Sequence, residues 1–135
     1  MSQDNQSSGL QEKRFVVTVS AEVDSQLPAP YAKDATSDNK LKVGQEAFTL
    51  VLPGLESDRY GHVLMHMQTE NLSSQTEAKI KKFISGKDTG ASFEIIPNKP
   101  FKEGDVATIT AAVYAPSLDR WFFAPESLKY TFEAP

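Results

Sequence analysis

The chain has 135 residues, no cysteine and a formal net charge of −4 at pH 7. This length is enough for one domain that buries an ordinary hydrophobic core without cross-links. The lack of cysteine excludes a disulfide scaffold and a thiolate zinc site. The negative charge argues against a nucleic-acid partner, because phosphate contacts need a basic face.

Neither a membrane-spanning stretch nor a secretory signal is visible in the sequence as given. No apolar run approaches the roughly 20 residues of a membrane span. Residues 1–9 are polar and lack the apolar stretch of a signal peptide. We expect a soluble protein without membrane insertion, which is cytoplasmic or exported without an N-terminal signal peptide. A fragment of a larger protein is the alternative.

The first predicted strand follows a polar N-terminal tail. Residues 1–12 are rich in serine, glutamine and asparagine, a composition typical of disorder. Apolar residues recur at every second position over residues 15–23, and residues 27–30 (LPAP) end this strand because proline donates no ladder hydrogen bond. Residues 31–45 are predicted to form a loop with a short edge pairing near Leu41 and Val43.

Two strands are predicted in the middle of the chain. Residues 48–52 (FTLVL) are mostly apolar and include β-branched and aromatic side chains, which favours a strand. The Pro-Gly pair that follows ends this strand. Residues 59–69 alternate, which predicts a strand with two distinct faces. One face would carry Val63, Met65 and Met67, and the other His62, Leu64, His66 and Gln68.

Residues 72–85 fit two kinds of secondary structure. Apolar residues recur at helical spacing from Ile80 to Ile84, and Ser74 with Glu77 forms a capping-box pattern, which favours a short helix. Alternatively, the segment pairs as an edge strand. We favour the strand, because the flanking elements are all β.

The last part of the chain predicts a turn and three strands. Residues 86–90 have turn composition, and residues 93–96, 106–114 and 127–133 have strand patterns. In the final strand, the apolar residues Leu128, Tyr130 and Phe132 alternate with polar ones, so we expect them on the buried face. We expect the core to include Leu50, Met65, Ile109 and Phe132.

Several of these segments are similar to parts of a known family. Residues 27–30 (LPAP), a polar stretch and residues 48–53 (FTLVLP) look like the opening of its repeats, and residues 101–111 (FKEGDVATITA) with 124–132 (APESLKYTF) look like the last two strands. The chain thus resembles the bacterial immunoglobulin-like repeats of adhesins and invasin-like surface proteins over residues 13–134. Family members usually stand in tandem within long secreted chains, whereas this chain is single.

The strand patterns and the resemblance lead to one fold prediction. We expect an all-β fold, namely an immunoglobulin-like antiparallel β-sandwich of about seven to eight strands. Residues 13–135 would form this single domain, after a disordered tail over residues 1–12.

The best candidate binding site is an aromatic hairpin near residues 114–123. Flat aromatic side chains on a loop can stack on sugar rings or anchor a protein partner. The candidate binding residues are Tyr114, Arg120, Trp121 and Phe122. In the alternative reading the hairpin fills the core, with Trp121 and Phe123 pointing inward and Phe122 and Arg120 outward.

A metal site has little support in the sequence. His62 and His66 would share one face of a helix, but on a strand they lie about 13 Å apart, at ~3.3 Å per residue. Because the surrounding residues alternate as a strand does, we expect no shared metal ion. A calcium ion held by Asp34 and Asp38, together with Asp24 or with loop carbonyls, is the alternative.

These features favour a non-catalytic interaction module. It would recognise a protein or glycan through loops at one end of the sandwich, without a cofactor. We expect no catalytic residues, because no nucleophile elbow, phosphate loop or dinucleotide glycine pattern occurs in the sequence. The alternatives are a lectin-like carbohydrate-binding protein and a self-associating structural protein, a homo-oligomer whose edge strand pairs with a partner.

Overall fold

The computed structural model describes residues 22–55, 59–82 and 90–135. All regular structure in these ranges is β, which confirms the all-β prediction, and no helix there is long and apolar enough to cross a membrane. Twelve strands are present in these ranges, more than the predicted seven to eight. The strands are β1 (Glu22–Val23), β2 (Tyr31–Ala32), β3 (Lys40–Lys42), β4 (Phe48–Leu52), β5 (His62–Thr69), β6 (Gln75–Thr76), β7 (Lys79–Lys82), β8 (Ala91–Ile95), β9 (Pro97–Lys99), β10 (Val106–Ala115), β11 (Arg120–Phe123) and β12 (Tyr130–Glu133).

These strands form two sheets. The larger has the order β1-β11-β10-β5-β6-β9, with β7 also paired to β5 and β12 paired to both β10 and β3. The smaller has the order β2-β4-β8. Two pairings, β1 with β11 and β12 with β3, are parallel. A purely antiparallel arrangement is therefore wrong, because these short strands return to the sheet by long connections.

One hydrophobic cluster combines buried side chains from both sheets. The four predicted core residues Leu50, Met65, Ile109 and Phe132 are confirmed, each at most 1% exposed. Three phenylalanines pack at one end of this core. The rings of Phe101 and Phe132 stack with centroids 4.3 Å apart, and Phe48 meets both edge-on.

The ambiguous middle segment is a strand in its described part. β7 pairs with residues His62 to Met65 of β5, and β6 pairs with Gln68. Ser74 caps no helix; its Oγ donates to the carbonyl oxygen of Pro100 at 2.8 Å. The preference for strand over helix is thus confirmed, while residues 83–85 and most of the predicted turn at 86–90 lie outside the described residues.

Several predicted boundaries differ from those of the structure. Of the first predicted strand only Glu22 and Val23 lie within the described residues, as β1, and the predicted tail lies outside them. Within the predicted loop over residues 31–45, the expected edge pairing near Leu41 is confirmed as β3, and a second short strand, β2, was not predicted. Strand β5 begins at His62, three residues later than predicted, because the chain turns through residues 59–61.

The last strand is shorter than predicted. β12 begins at Tyr130, and Leu128 is 66% exposed, so its predicted burial is wrong. The physical reason is Ser127, whose buried Oγ accepts a hydrogen bond from the backbone N–H of Ile109 at 2.7 Å. Ser127 therefore faces β10, and the chain directs the next side chain to the surface. Tyr130 and Phe132 are buried, as predicted.

Hydrogen bonds from the β6–β7 region also cover part of β8, an edge strand of the smaller sheet. The backbone N–H of Glu77 donates to the Ile96 carbonyl at 3.0 Å, and its carboxylate accepts from the Ile96 N–H at 3.2 Å. Lys79 Nζ donates to the carbonyl of Glu94 at 2.6 Å. These bonds join the two sheets and shield the end of an edge that could otherwise pair with another chain.

Candidate functional site

Strands β10 and β11 form the aromatic hairpin that the sequence predicts. Tyr114 lies opposite Trp121, and Val113 lies opposite Phe122. The turn between them covers residues 116–119 and is closed by a hydrogen bond from Asp119 N to the carbonyl of Pro116 at 3.1 Å. Asp119 has φ of 51°, a left-handed conformation that aspartate tolerates better than most residues.

The four candidate binding residues divide between the two faces of this hairpin. Val113 belongs to the core, so Phe122, directly opposite it, lies on the inner face and packs against the core cluster. Tyr114 and Trp121 therefore lie on the outer face. The orientation with Trp121 inward and Phe122 outward is wrong, because strand alternation and this register together place each side chain.

Three rings meet on the outer face, and we call Tyr114, Trp121 and His62 the outer aromatic cluster. The centroids of Tyr114 and Trp121 lie 5.4 Å apart with planes tilted by 50°. His62, opposite Tyr114 on β5, lies 6.2 Å from it in an edge-on arrangement. All three side chains are partly exposed, and Leu118 at the tip of the adjacent turn is 53% exposed.

Asp119 holds the Tyr114 ring in this cluster. The Tyr114 hydroxyl donates a hydrogen bond to Asp119 Oδ1. This bond, followed by partial desolvation and the charge of the carboxylate, raises the pKa of Tyr114 above its ordinary value. The same bond fixes the orientation of the phenol.

Arg120 lies away from the outer aromatic cluster. Its Nη2 donates to Glu22 Oε1 at 2.6 Å, and its guanidinium carbon lies 5.3 Å from the centroid of the Phe122 ring. Both charged side chains are about half exposed, at 49% and 60%, so this ion pair adds little to stability. It positions Arg120 along the edge formed by β1 and β11.

Sequence reasoning missed three residues of this region, namely His62, Asp119 and Glu22. His62 was considered only as a metal ligand, and the register of β5 against β10 was the signal needed to place it beside Tyr114. Asp119 reaches Tyr114 across the hairpin turn. Glu22 stands 98 positions from Arg120, and no local pattern points to their contact.

The described residues contain no group of three or more histidines, aspartates or glutamates that could hold a metal ion. His62 and His66 lie on one face of β5, opposite Tyr114 and Thr110 respectively. The three aspartates considered for calcium accept separate local hydrogen bonds: Asp24 from the Gln26 N–H, Asp34 from the Thr49 N–H and Asp38 from the Thr36 hydroxyl. The bond from Thr36 is the main cause that lowers the pKa of Asp38.

Comparison with known proteins assigns no family. No protein-family model matches the chain, and no curated protein sequence matches it. The resemblance to bacterial immunoglobulin-like repeats stays a prediction. Function is therefore inferred from the geometry of the hairpin.

Proposed function

We propose that the protein is a non-catalytic interaction module, built on an immunoglobulin-like sandwich, that binds a partner through its outer aromatic cluster. The observation that carries this proposal is the cross-strand pair of Tyr114 and Trp121, partly exposed on the face opposite the core. Aromatic side chains bury much apolar area on binding at a low cost in conformational entropy.

The hairpin gives these side chains a rigid base. Gly61 N donates to the Tyr114 carbonyl at 2.8 Å, which ties the start of β5 to the hairpin. A Cβ on Gly61 would lie 3.0 Å from Cγ of Pro116, so this residue also permits the close approach of the turn. A preorganised surface loses less conformational entropy when a partner binds.

The shape of the cluster favours a protein partner over a glycan. The rings of Tyr114 and Trp121 are tilted by 50°, so they present an uneven surface rather than one flat platform for a sugar. Leu118 adds an exposed aliphatic side chain at the tip. Tryptophan and tyrosine are enriched at energetic hot spots of protein interfaces.

The first experiment identifies the partner class. A photo-crosslinking residue placed at Leu118 should capture a protein from a lysate of the source cells, whereas the same residue at the exposed turn position Glu103 should not. A glycan array probed with the full chain tests the lectin-like alternative, and sedimentation velocity at several concentrations tests self-association. Specific glycan binding that Trp121→Ala abolishes, with no captured protein, would contradict the preference for a protein partner.

The second experiment uses the two faces of the hairpin as a matched pair. Trp121→Ala should weaken binding of the captured protein by about 1–3 kcal/mol. Phe122→Ala should lower the free energy of unfolding instead, because Phe122 packs against the core, while the affinity of the folded fraction stays unchanged. Unchanged affinity in Trp121→Ala would refute the proposed site.

A further inference from the structure

A cavity of about 400 Å³ opens on the outer face of the larger sheet, at the opposite end from the hairpin. Gln68 at the end of β5 and Thr108 near the start of β10 lie directly opposite each other on its floor. The turn after β5 and the irregular segment before β12 form its walls. Its volume lies within the range of small-molecule sites, about 300–1,000 Å³.

The floor contains an unsatisfied amide group. Gln68 Nε2 donates to the hydroxyls of Thr108 and Thr110, at 3.3 and 3.0 Å. Its Oε1 is the one buried side-chain oxygen or nitrogen among the described residues that has no hydrogen-bond partner. A buried oxygen that stays unpaired destabilises the fold, so its retention calls for an explanation. The Thr108 hydroxyl accepts from Gln68 Nε2, and a threonine hydroxyl that accepts one hydrogen bond can still donate another to a ligand.

The walls carry charges of both signs. Glu70, Glu126 and Lys129 line the cavity, and none of them forms an ion pair or a side-chain hydrogen bond with the described residues. Two carboxylates and one ammonium nearly balance, which favours neither a strongly anionic nor a strongly cationic ligand. Together they offer acceptors and a donor to a neutral group that has both.

Two apolar side chains complete the lining. Leu72 and Val106 line the same cavity, and they are 42% and 44% exposed. Two exposed aliphatic residues beside a polar floor give the cavity an apolar side. A ligand that fits must therefore combine hydroxyl groups with a face of C–H bonds.

We propose that this cavity is a second binding site, which takes a small neutral saccharide. Carboxylates accept hydrogen bonds from the hydroxyls of the sugar, Lys129 donates to one of its oxygens, and the C–H face packs on Leu72 and Val106. The Thr108 hydroxyl, which accepts a hydrogen bond from Gln68 Nε2, donates to the sugar from below. The site is independent of the outer aromatic cluster, about 20 Å away along β10 at ~3.3 Å per residue.

The test is a titration of the ¹⁵N-labelled full chain with a panel of neutral mono- and disaccharides, up to about 50 mM, followed by amide chemical shifts. At least one saccharide should shift the amides of Thr108 and Leu72 and leave those of Tyr114 and Trp121 in place. Glu126→Gln should then weaken that binding about fivefold or more, as should Thr108→Val, which keeps the β-branched shape but removes the hydroxyl. Glu103→Gln, in an exposed turn away from the cavity, is the control and should bind as the unmodified chain does.

Three results would overturn this proposal. The first is a panel in which no saccharide shifts the cavity amides. The second is a set of shifts confined to the outer aromatic cluster. The third is binding that Glu126→Gln and Thr108→Val leave as strong as in the Glu103→Gln control. The first and third results do not bear on the hairpin site, because that site is tested with variants at Trp121 and Phe122. The second would also contradict the preference of the outer aromatic cluster for a protein over a glycan.

Discussion

Two side-chain hydrogen bonds attach the segments that follow β10 to that strand. Asp119 accepts a hydrogen bond from the Tyr114 hydroxyl across the hairpin turn. Ser127 Oγ accepts one from the buried N–H of Ile109, in place of a regular strand partner. The first bond is at the surface and raises the pKa of Tyr114. The second is in the interior and governs stability, because a buried backbone donor must be paired.

The titration of Tyr114 should depend on Asp119. A raised pKa means that folding favours the neutral phenol, so this contribution to stability is present below the ordinary tyrosine value of about 10 and is lost as pH rises through the folded value. In Asp119→Gly, where glycine tolerates the left-handed backbone, the Tyr114 pKa should return toward its ordinary value. An NMR titration of the Tyr114 ring measures this, with Glu103→Gln as control; an unchanged titration in Asp119→Gly would contradict the assigned cause.

Truncation of Ser127 should destabilise the fold. Ser127→Ala leaves the buried Ile109 N–H without its side-chain acceptor, which should cost about 1–3 kcal/mol. Urea unfolding measures this difference. Ser117→Ala, in the exposed hairpin turn, is the matched control and should stay within about 0.5 kcal/mol. Equal stability of the two variants would show that the Ser127 hydroxyl is not needed.

Strand β10 is the element on which both faces of the larger sheet depend. It pairs with β5, β11 and β12, and its ten residues carry core side chains on one face and the floor of both candidate sites on the other. Ile109 faces the core, while Thr108 and Tyr114 face outward. Displacement of this strand by one residue would exchange the two sets.

Burial should determine how much the free energy of unfolding falls when an apolar residue on or near this strand is truncated. Ile109→Ala removes a fully buried side chain and should cost about 2–5 kcal/mol. Leu128→Ala removes one that is 66% exposed and should change stability by less than about 0.5 kcal/mol. Denaturant midpoints of the two variants provide the comparison. A larger loss for Leu128→Ala than for Ile109→Ala would mean that the two residues are assigned to the wrong environments.

At the scale of the whole molecule, a single hydrophobic cluster of the described residues is shared between the two sheets. β4 and β8 of the smaller sheet contribute Leu50 and Phe93, and the larger sheet contributes Met65 and Ile109 to the same cluster. Neither sheet can lose its partner without exposing its apolar face. The hydrogen bonds from Glu77 and Lys79 to the β8 side strengthen this link.

Unfolding should therefore be a single cooperative transition. Fluorescence of Trp121, the one tryptophan, reports on the larger sheet, and far-ultraviolet circular dichroism reports on all strands. The two signals should change at the same urea concentration, with a native spectrum dominated by β-structure and less than about a quarter helix. Separate midpoints for the two signals would show that the sheets unfold independently.

The local sequence pattern was sufficient to predict the longer strands that pack on the core. β4, β5, β8 and β10 follow from alternation and β-branched or aromatic composition, and Leu50, Met65, Ile109 and Phe132 are buried as predicted. In these segments each residue's preference agrees with its place in the fold, because a half-buried strand imposes a period of two. The aromatic hairpin could be recognised for the same reason.

Tertiary structure alone decided which face each hairpin side chain occupies and which distant residues meet there. The register of Val113 against Phe122 places Trp121 outward, and the parallel pairing of β1 with β11 brings Glu22 to Arg120. The exposure of Leu128 depends on a bond between Ser127 and Ile109. Strand period is a local property, whereas register and sheet order are set by side chains far apart in the chain that must share one core, and so only the folded molecule determines them.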